Sequence, residues 1–397
     1  MGHADIWTMG IIPERVLLSV RSGAGERANE VAKARERACA AGVSLRDLSD
    51  SNPTRHGLFD QAFADLVAGA ARRAVRYDPD PRGAVRAREA LAARFGGQPG
   101  DYWLTAGTSD AYGWLFSLLT DPGDRVAVPR PGYPLVEPLA RLAGAETAGY
   151  PAYYLHPHGW EYDLDALALL LRDQRLKAVV AVHPNNPTGA YADAGIADKC
   201  AATGTPLIVD EVFAPFALDA PFPGTLAGRE DVLAFALDGV SKMLASPQFK
   251  LGWIRLCGPA RDVARVAPVL DRVADAYLPV SAPVADALPE LLNLADATIA
   301  RIRERLRDNL RTTREFFGDA PYRVRRCDGG WTALIDVPRV MDDDALIIAL
   351  IERGLFVHPG WFYDLDSTGT LALSLLPEPD AFADNCRILR DALASLG

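Results

Sequence analysis

Short apolar runs separated by amphipathic stretches dominate the middle of the chain. Runs at Arg125–Pro129, Lys177–Val182, Leu207–Val209, Val232–Ala236 and Trp253–Cys257 are rich in Val, Ile, Leu and Ala and end in turn-forming residues. A strand buried on both faces reads as an unbroken apolar run, so these predict a largely parallel sheet. Between them Ala111–Leu119 and Leu164–Arg172 carry helical periodicity. The expected fold is α/β, a large domain with a mostly parallel sheet sandwiched by helices.

The pattern changes in the last third. Asp296–Phe317 reads as a long helix, Trp331–Val337 and Thr370–Leu375 as strands, and Asp380–Leu396 as a final helix. This predicts a smaller α+β domain, with the helix expected at Glu26–Ala41 packing onto it. The domain expectation is 1–48 for the N-terminal segment, 49–275 for the large domain and 276–397 for the small one. The arginine run at positions 301, 303, 305, 307, 311 and 314 reads as a solvated helix flank, because Glu304, Asp308 and Glu315 dilute it.

Charge and composition narrow the function. A net charge of -10 opposes non-specific nucleic-acid binding, which needs Lys and Arg against phosphates. Cys39, Cys200, Cys257, Cys327 and Cys386 are odd in number and scattered, which argues against disulfides and zinc. His156 and His158 flank Pro157 without a third ligand at usable spacing, so no metal site is expected. Met1–Gly10 lacks the basic-then-apolar signature of a secretory leader, and Ile6 stands where myristoylation needs Ser or Thr. No apolar stretch is long enough to span a bilayer. A cytoplasmic location is expected.

The chemistry collects where expected strands end, which is where open α/β sheets bind ligands. Tyr102–Thr105 runs into Ala106, Gly107, Thr108, Ser109 and Asp110. The 125 strand leads to Pro131-Gly132-Tyr133-Pro134, and the 177 strand to Asn185-Asn186-Pro187-Thr188-Gly189. The 207 strand stops at Asp210-Glu211, and the 232 strand ends in the turn-like run Asp238-Gly239-Val240-Ser241-Lys242. Singly these are ordinary turns and surface residues. Together they meet the needs of one cofactor, pyridoxal 5'-phosphate (PLP). Lys242 supplies an amine for a Schiff base. Asp210 supplies a carboxylate for the pyridine nitrogen. Asn186 donates to the phenolic oxygen and Tyr133 stacks on the ring. Gly107, Thr108 and Ser109 offer backbone N–H groups at a helix start for the phosphate, and Lys250 adds a cation.

The order and spacing of these motifs resemble the class I/II aminotransferases, the fold type I PLP family. The resemblance covers about Ser49 to Pro377. It is carried by Tyr77-Asp78-Pro79-Asp80-Pro81-Arg82-Gly83, Pro131–Pro134, Asn185–Gly189, Asp210–Phe213, Ser241-Lys242 and Lys250–Trp253. It implies a small domain built from both chain ends and a homodimer with shared active sites. Tyr77 would then reach the phosphate of the neighbouring subunit's cofactor. Asn52-Pro53-Thr54 resembles the family's substrate-side loop.

Three departures from the family pattern bear on function. Phe213 stands where a tyrosine usually helps to hold the phenolic oxygen. Lys250 replaces a phosphate arginine and loses its two-pronged fork, while Gly239 replaces a phosphate serine, leaving Ser241 or Ser109 to compensate. Ala372, in Leu371-Ala372-Leu373-Ser374, stands where an arginine clamps the substrate carboxylate. Either another cation takes over, with Arg55 the candidate, or the substrate is not a simple α-amino acid. Trp331, Trp361 and Tyr363 are the candidate substrate-side aromatics, with His358 in the same loop.

The expected activity is aminotransfer on an amino acid or related amine. A PLP-dependent lyase or a carbon–carbon bond-forming enzyme on the same fold is the alternative. A PLP-binding sensor domain of a transcription factor fits less well, because the segment ahead of the match shows no helix-turn-helix pattern.

Overall fold

The computed structural model describes residues 18–24 and 27–396, so the expectations for Met1–Gly10 and for Glu26 fall outside them. Eight strands form the central sheet. In chain order they are β1 (Tyr102–Thr105), β2 (Arg125–Arg130), β3 (Glu146–Leu155), β4 (Gly159–Tyr162), β5 (Leu176–Val182), β6 (Leu207–Asp210), β7 (Ala234–Gly239) and β8 (Gly252–Cys257). Their spatial order is β1-β8-β7-β6-β5-β2-β3-β4. The centre, β7 through β3, is parallel. β8 runs antiparallel to both β1 and β7, and β4 antiparallel to β3.

Alternation explains the unbroken apolar runs. In β5, Val180 joins one buried cluster with Trp114, Val126, Ile208 and Phe235. Its neighbours Val179 and Ala181 join another, with Leu167, Ile196, Leu207 and Val209. Both faces of the strand are therefore covered by helices, and each buried Val or Leu contributes roughly 1.5–3 kcal/mol.

Strand β7 begins two residues later and ends three residues later than its apolar run. Asp238 and Gly239 read as turn residues, yet they pair with Trp253 and Gly252 of β8. The β3–β4 hairpin escaped the sequence pattern because only alternate residues of β3 are buried.

The smaller sheet contains β9 (Arg323–Val324), β10 (Thr332–Asp336), β11 (His358–Pro359) and β12 (Thr370–Ser374) in the order β9-β10-β12-β11. Arg46–Asp47 pairs in parallel with Leu355–Phe356, so the early chain is tied to the late chain. Val31, Ala34 and Leu48 share one core with Leu306, Leu350, Leu373 and Leu389. Helix Ala282–Leu292, which the sequence reading put in the small domain, instead packs with Phe63, Leu91, Tyr102 and Trp253 beside the large sheet. The arginines of helix Ala295–Phe317 are less free than a solvated flank. Arg301 donates to the Leu58 carbonyl, Arg305 pairs with Glu378, and Arg314 pairs with Asp219.

Candidate active site

Four parallel strands deliver polar groups to one edge of the sheet. Asp210 is the last residue of β6 and is 4% exposed. Its Oδ1 accepts the Val212 backbone N–H at 3.2 Å, and its Oδ2 accepts the Tyr112 hydroxyl at 3.1 Å. Burial pushes the carboxyl up to about 6, while those two donors and the Lys242 charge oppose the rise. Asp210 therefore stays largely ionised at neutral pH.

Lys242 follows β7 on the short helix Val240–Met243. The residue is half-buried, and its amine lies among aromatic rings. Nζ is 4.9 Å from the Trp331 ring and 5.5 Å from the Phe213 ring. Desolvation pulls the amine down to about 8. Lys250 lowers it further, and Asp210 holds it up. A lysine in that range is about one-tenth neutral at pH 7, far more than an ordinary lysine, and its neutral form can act as nucleophile or base.

The loops after β2 and β5 are stitched together. Asn185 Nδ2 donates to the Pro131 carbonyl at 2.9 Å and to Thr188 Oγ1 at 3.0 Å. This fixes Tyr133, whose hydroxyl is pushed well above its usual range by burial and then by Asp210. Asn186 carries a buried amide oxygen with no partner among the described residues. An orphaned buried amide costs about 1–3 kcal/mol unless a ligand satisfies it.

Helix Thr108–Leu119 begins directly after β1, and its N-cap, Gly107, provides no side-chain cap. Gly107 sits at φ +127, a conformation that favours glycine, and a Cβ there would lie 3.9 Å from Lys250 Nζ. Gly252 packs against it so closely that a Cβ on Gly252 would meet Gly107 Cα at 2.9 Å. Gly239 has the same cause: a side chain there would meet the Leu251 carbonyl at 2.8 Å. The missing serine at 239 is thus a packing requirement of β7 against β8. What results is a helix start with free N–H groups, a nearby ammonium and exposed Ser109, the donor set a phosphate needs. The low-lying Lys242 amine, buried Asp210 and this cradle fit PLP.

The other sequence-selected residues divide between the surface and the surroundings of Lys242. Tyr77 is 71% exposed and projects from the chain. Asn52 caps its own turn by accepting from the Thr54 N–H and hydroxyl. Arg55 is already paired with Asp50 at 3.2 Å. Ser241 is half-buried beside Lys242. Trp331 is buried and meets Phe213 edge-on at 5.5 Å, so Phe213 serves as a wall of the lysine's cage. Ala372 is closed in by Leu334, Tyr363 and Leu365, with Trp160 and Phe362 behind them. Tyr363 shares a 3.0 Å hydrogen bond with His358. The Arg325 guanidinium lies 5.4 Å from the Trp160 ring and donates to Thr370 on the same strand as Ala372.

A cavity of about 1150 Å3 opens between the β3–β4 hairpin and the small domain, lined by Arg130, Trp160, Arg325 and Trp361 among others. It does not include Lys242 or Asp210. Its guanidiniums are engaged: Arg130 with Asp364, and Arg325 with Asp336, Ser367 and Thr370. Trp361 therefore lines this cleft. Sequence reasoning missed Tyr112. It lies one helical turn beyond Thr108, so the period alone put it on the same face as the cradle.

A family model for aminotransferase class I and II matches residues 47–378. Among curated proteins, alanine aminotransferase of Mycobacterium tuberculosis is 29% identical over 265 residues, 63% of this chain and 60% of that protein. The chain thus spans 60% of that relative's length. The S-alkyl-thiohydroximate lyase of Arabidopsis thaliana is 30% identical over 205 residues, 50% of this chain and 44% of that one. Among solved structures, alanine aminotransferase from Pyrococcus furiosus superposes with a TM-score of 0.86 at 21% identity, covering 96% of this chain and 100% of that one. Thermus thermophilus aspartate aminotransferase gives 0.82 at 23%, covering 95% and 100%. At these identities the structures establish the shared α/β fold.

Proposed function

Because the chain belongs to the aminotransferase class I and II family, whose members depend on PLP, we propose that it transfers an amino group between an amino acid or related amine and a keto acid, using PLP carried on Lys242. The observation that carries this reading is the Lys242 amine caged by the Trp331 and Phe213 rings at 4.9 and 5.5 Å, with buried Asp210 at the end of a neighbouring central strand. PLP, when bound, supplies an aldehyde that takes up amines and a ring that accepts the electrons left when a substrate proton departs.

The chain's residues divide the remaining work. Lys242 would anchor the cofactor, and its amine, once free, would take the proton from the substrate carbon and deliver it to the cofactor carbon that the lysine had held. Asp210 holds negative charge against the ring nitrogen. Tyr133 covers the ring, and the Asn186 amide meets the phenolic oxygen. Gly107, Thr108, Ser109 and Lys250 hold the phosphate, with Ser241 near it. Trp331 and Phe213 exclude water around the Lys242 amine, which lowers its proton affinity.

The substrate side is proposed from Asn52, Arg55, Trp331, Trp361 and Tyr363. Arg55 would have to leave Asp50 to meet a carboxylate. The lyase reading is favoured by one observation, the apolar enclosure around Ala372. A substrate that needs no carboxylate clamp there suits either reaction. A homodimer is proposed, with Tyr77 completing the neighbour's phosphate site; exposed Val75, Tyr77, Tyr277 and Leu278 support it. No helix among the described residues is long and apolar enough to cross a membrane. The five free cysteines support a reducing, cytoplasmic setting.

The test is to load the protein with PLP, add candidate amines one at a time, and follow the visible band together with keto-acid release. Conversion to the pyridoxamine form with stoichiometric keto acid supports aminotransfer. Leaving-group release without pyridoxamine formation supports the lyase reading, and no response to any amine removes both.

A further inference from the structure

Tyr112 lies on helix Thr108–Leu119, is 1% exposed, and packs its ring on Phe116 at 5.6 Å. Its hydroxyl donates to Asp210 Oδ2 at 3.1 Å. Burial and the neighbouring Asp210 charge push that hydroxyl well above its usual range, so it remains a donor at every working pH. The Val212 N–H occupies the other oxygen at 3.2 Å. One donor on each oxygen fixes the carboxylate plane and leaves a lone pair on each oxygen for a third partner. The helix that carries Tyr112 also begins at Gly107, beside Lys250. One rigid element therefore sets both the proposed phosphate cradle and the orientation of the carboxylate.

We propose that Tyr112 is a positioning residue that holds Asp210 in the ionised form and orientation required by the ring nitrogen of PLP. This rests on the PLP reading above. Tyr112 touches neither substrate nor cofactor and acts through Asp210. A hydrogen bond to a charged group contributes on the order of 1.5–3 kcal/mol, about ten- to a hundredfold. Removing it shifts the Asp210 carboxyl further toward the neutral acid.

Tyr112→Phe keeps the ring and removes only the donor. Three measurements compare wild type, Y112F and D210N. They are the 15N shift of ring-labelled PLP, the cofactor dissociation constant, and kcat and KM separately. The expected result is that Y112F takes up PLP on Lys242 and melts close to wild type. Its 15N shift should move from the protonated toward the neutral position, with D210N further along. Cofactor binding should weaken about tenfold and kcat fall about tenfold with little change in KM. A Y112F protein matching wild type in 15N shift, dissociation constant and kcat overturns the proposal and makes Tyr112 a packing residue. Wild-type protein that takes up no PLP overturns the parent reading instead, and this one with it.

Discussion

Lys242 in the cofactor-free protein offers a quantitative prediction. Its amine is brought from 10.5 to about 8, first by desolvation among Trp331 and Phe213 and then by Lys250, with Asp210 in opposition. At pH 8 about half of the amines are neutral, against roughly 0.3% for an ordinary lysine, a ratio of about 150. Per-site labelling of PLP-free protein with trace acetic anhydride, read by mass spectrometry across pH, measures that fraction. Lys242 labelling should titrate with a midpoint near 8. In Asp210→Asn the midpoint should fall lower still, because the supporting negative charge is gone. Linkage gives a second reading of the same displacement. The unfolded amine titrates near 10.5, so this group's contribution to stability is fully present above that pH and lost as pH falls through 8, a difference of up to about 3 kcal/mol. A Lys242 midpoint near 10.5 would refute the burial argument.

Other outcomes follow from the same geometry. Burial pushes Glu211 up to about 7 from 4.5, so its charged form is disfavoured in the fold. Its stabilising contribution is present below about pH 4.5 and lost as pH rises through 7. Glu211→Gln should therefore raise the melting temperature relative to wild type more at pH 8 than at pH 5, and an equal shift at both pH values contradicts this. Asp210→Asn should keep the Lys242-bound cofactor band while turnover falls about a thousandfold. That corresponds to on the order of 4 kcal/mol for a full charge opposite a buried cation; unchanged turnover removes the role of the charge. Gly252→Ala places a Cβ 2.9 Å from Gly107 Cα and 3.0 Å from the Asp238 carbonyl. It should destabilise the fold by about 1–3 kcal/mol and weaken PLP binding measured by equilibrium dialysis.

The class of fold was legible because a strand covered on both faces must be apolar throughout, as Val179 and Val180 show by joining opposite clusters. The β3–β4 hairpin was less legible because its burial alternates at a sheet edge and it carries Gly149 and Pro151. The end of β7 was hidden because Asp238 and Gly239 resemble turn chemistry and their pairing partner lies on β8. Lys242, Asp210 and Asn186 are ordinary singly and stood out because several expected strand ends together supplied the groups that one cofactor needs. Tyr112 did not, since a tyrosine within an apolar helix reads as core until the contact at its hydroxyl is seen. Ala372 raised the question of the substrate carboxylate, and its apolar neighbours Leu334, Tyr363 and Leu365 come from distant parts of the chain that the order of residues does not bring together. The exposed pairing of Arg55 with Asp50 depends on side-chain placement that the order of residues does not carry.

Reduction of PLP-loaded protein with borohydride, followed by peptide mapping, is the most direct test of the lysine's role. The account predicts one pyridoxyl group per chain, on the peptide containing Lys242. A pyridoxyl group on any other lysine, or none after saturating PLP, would contradict it.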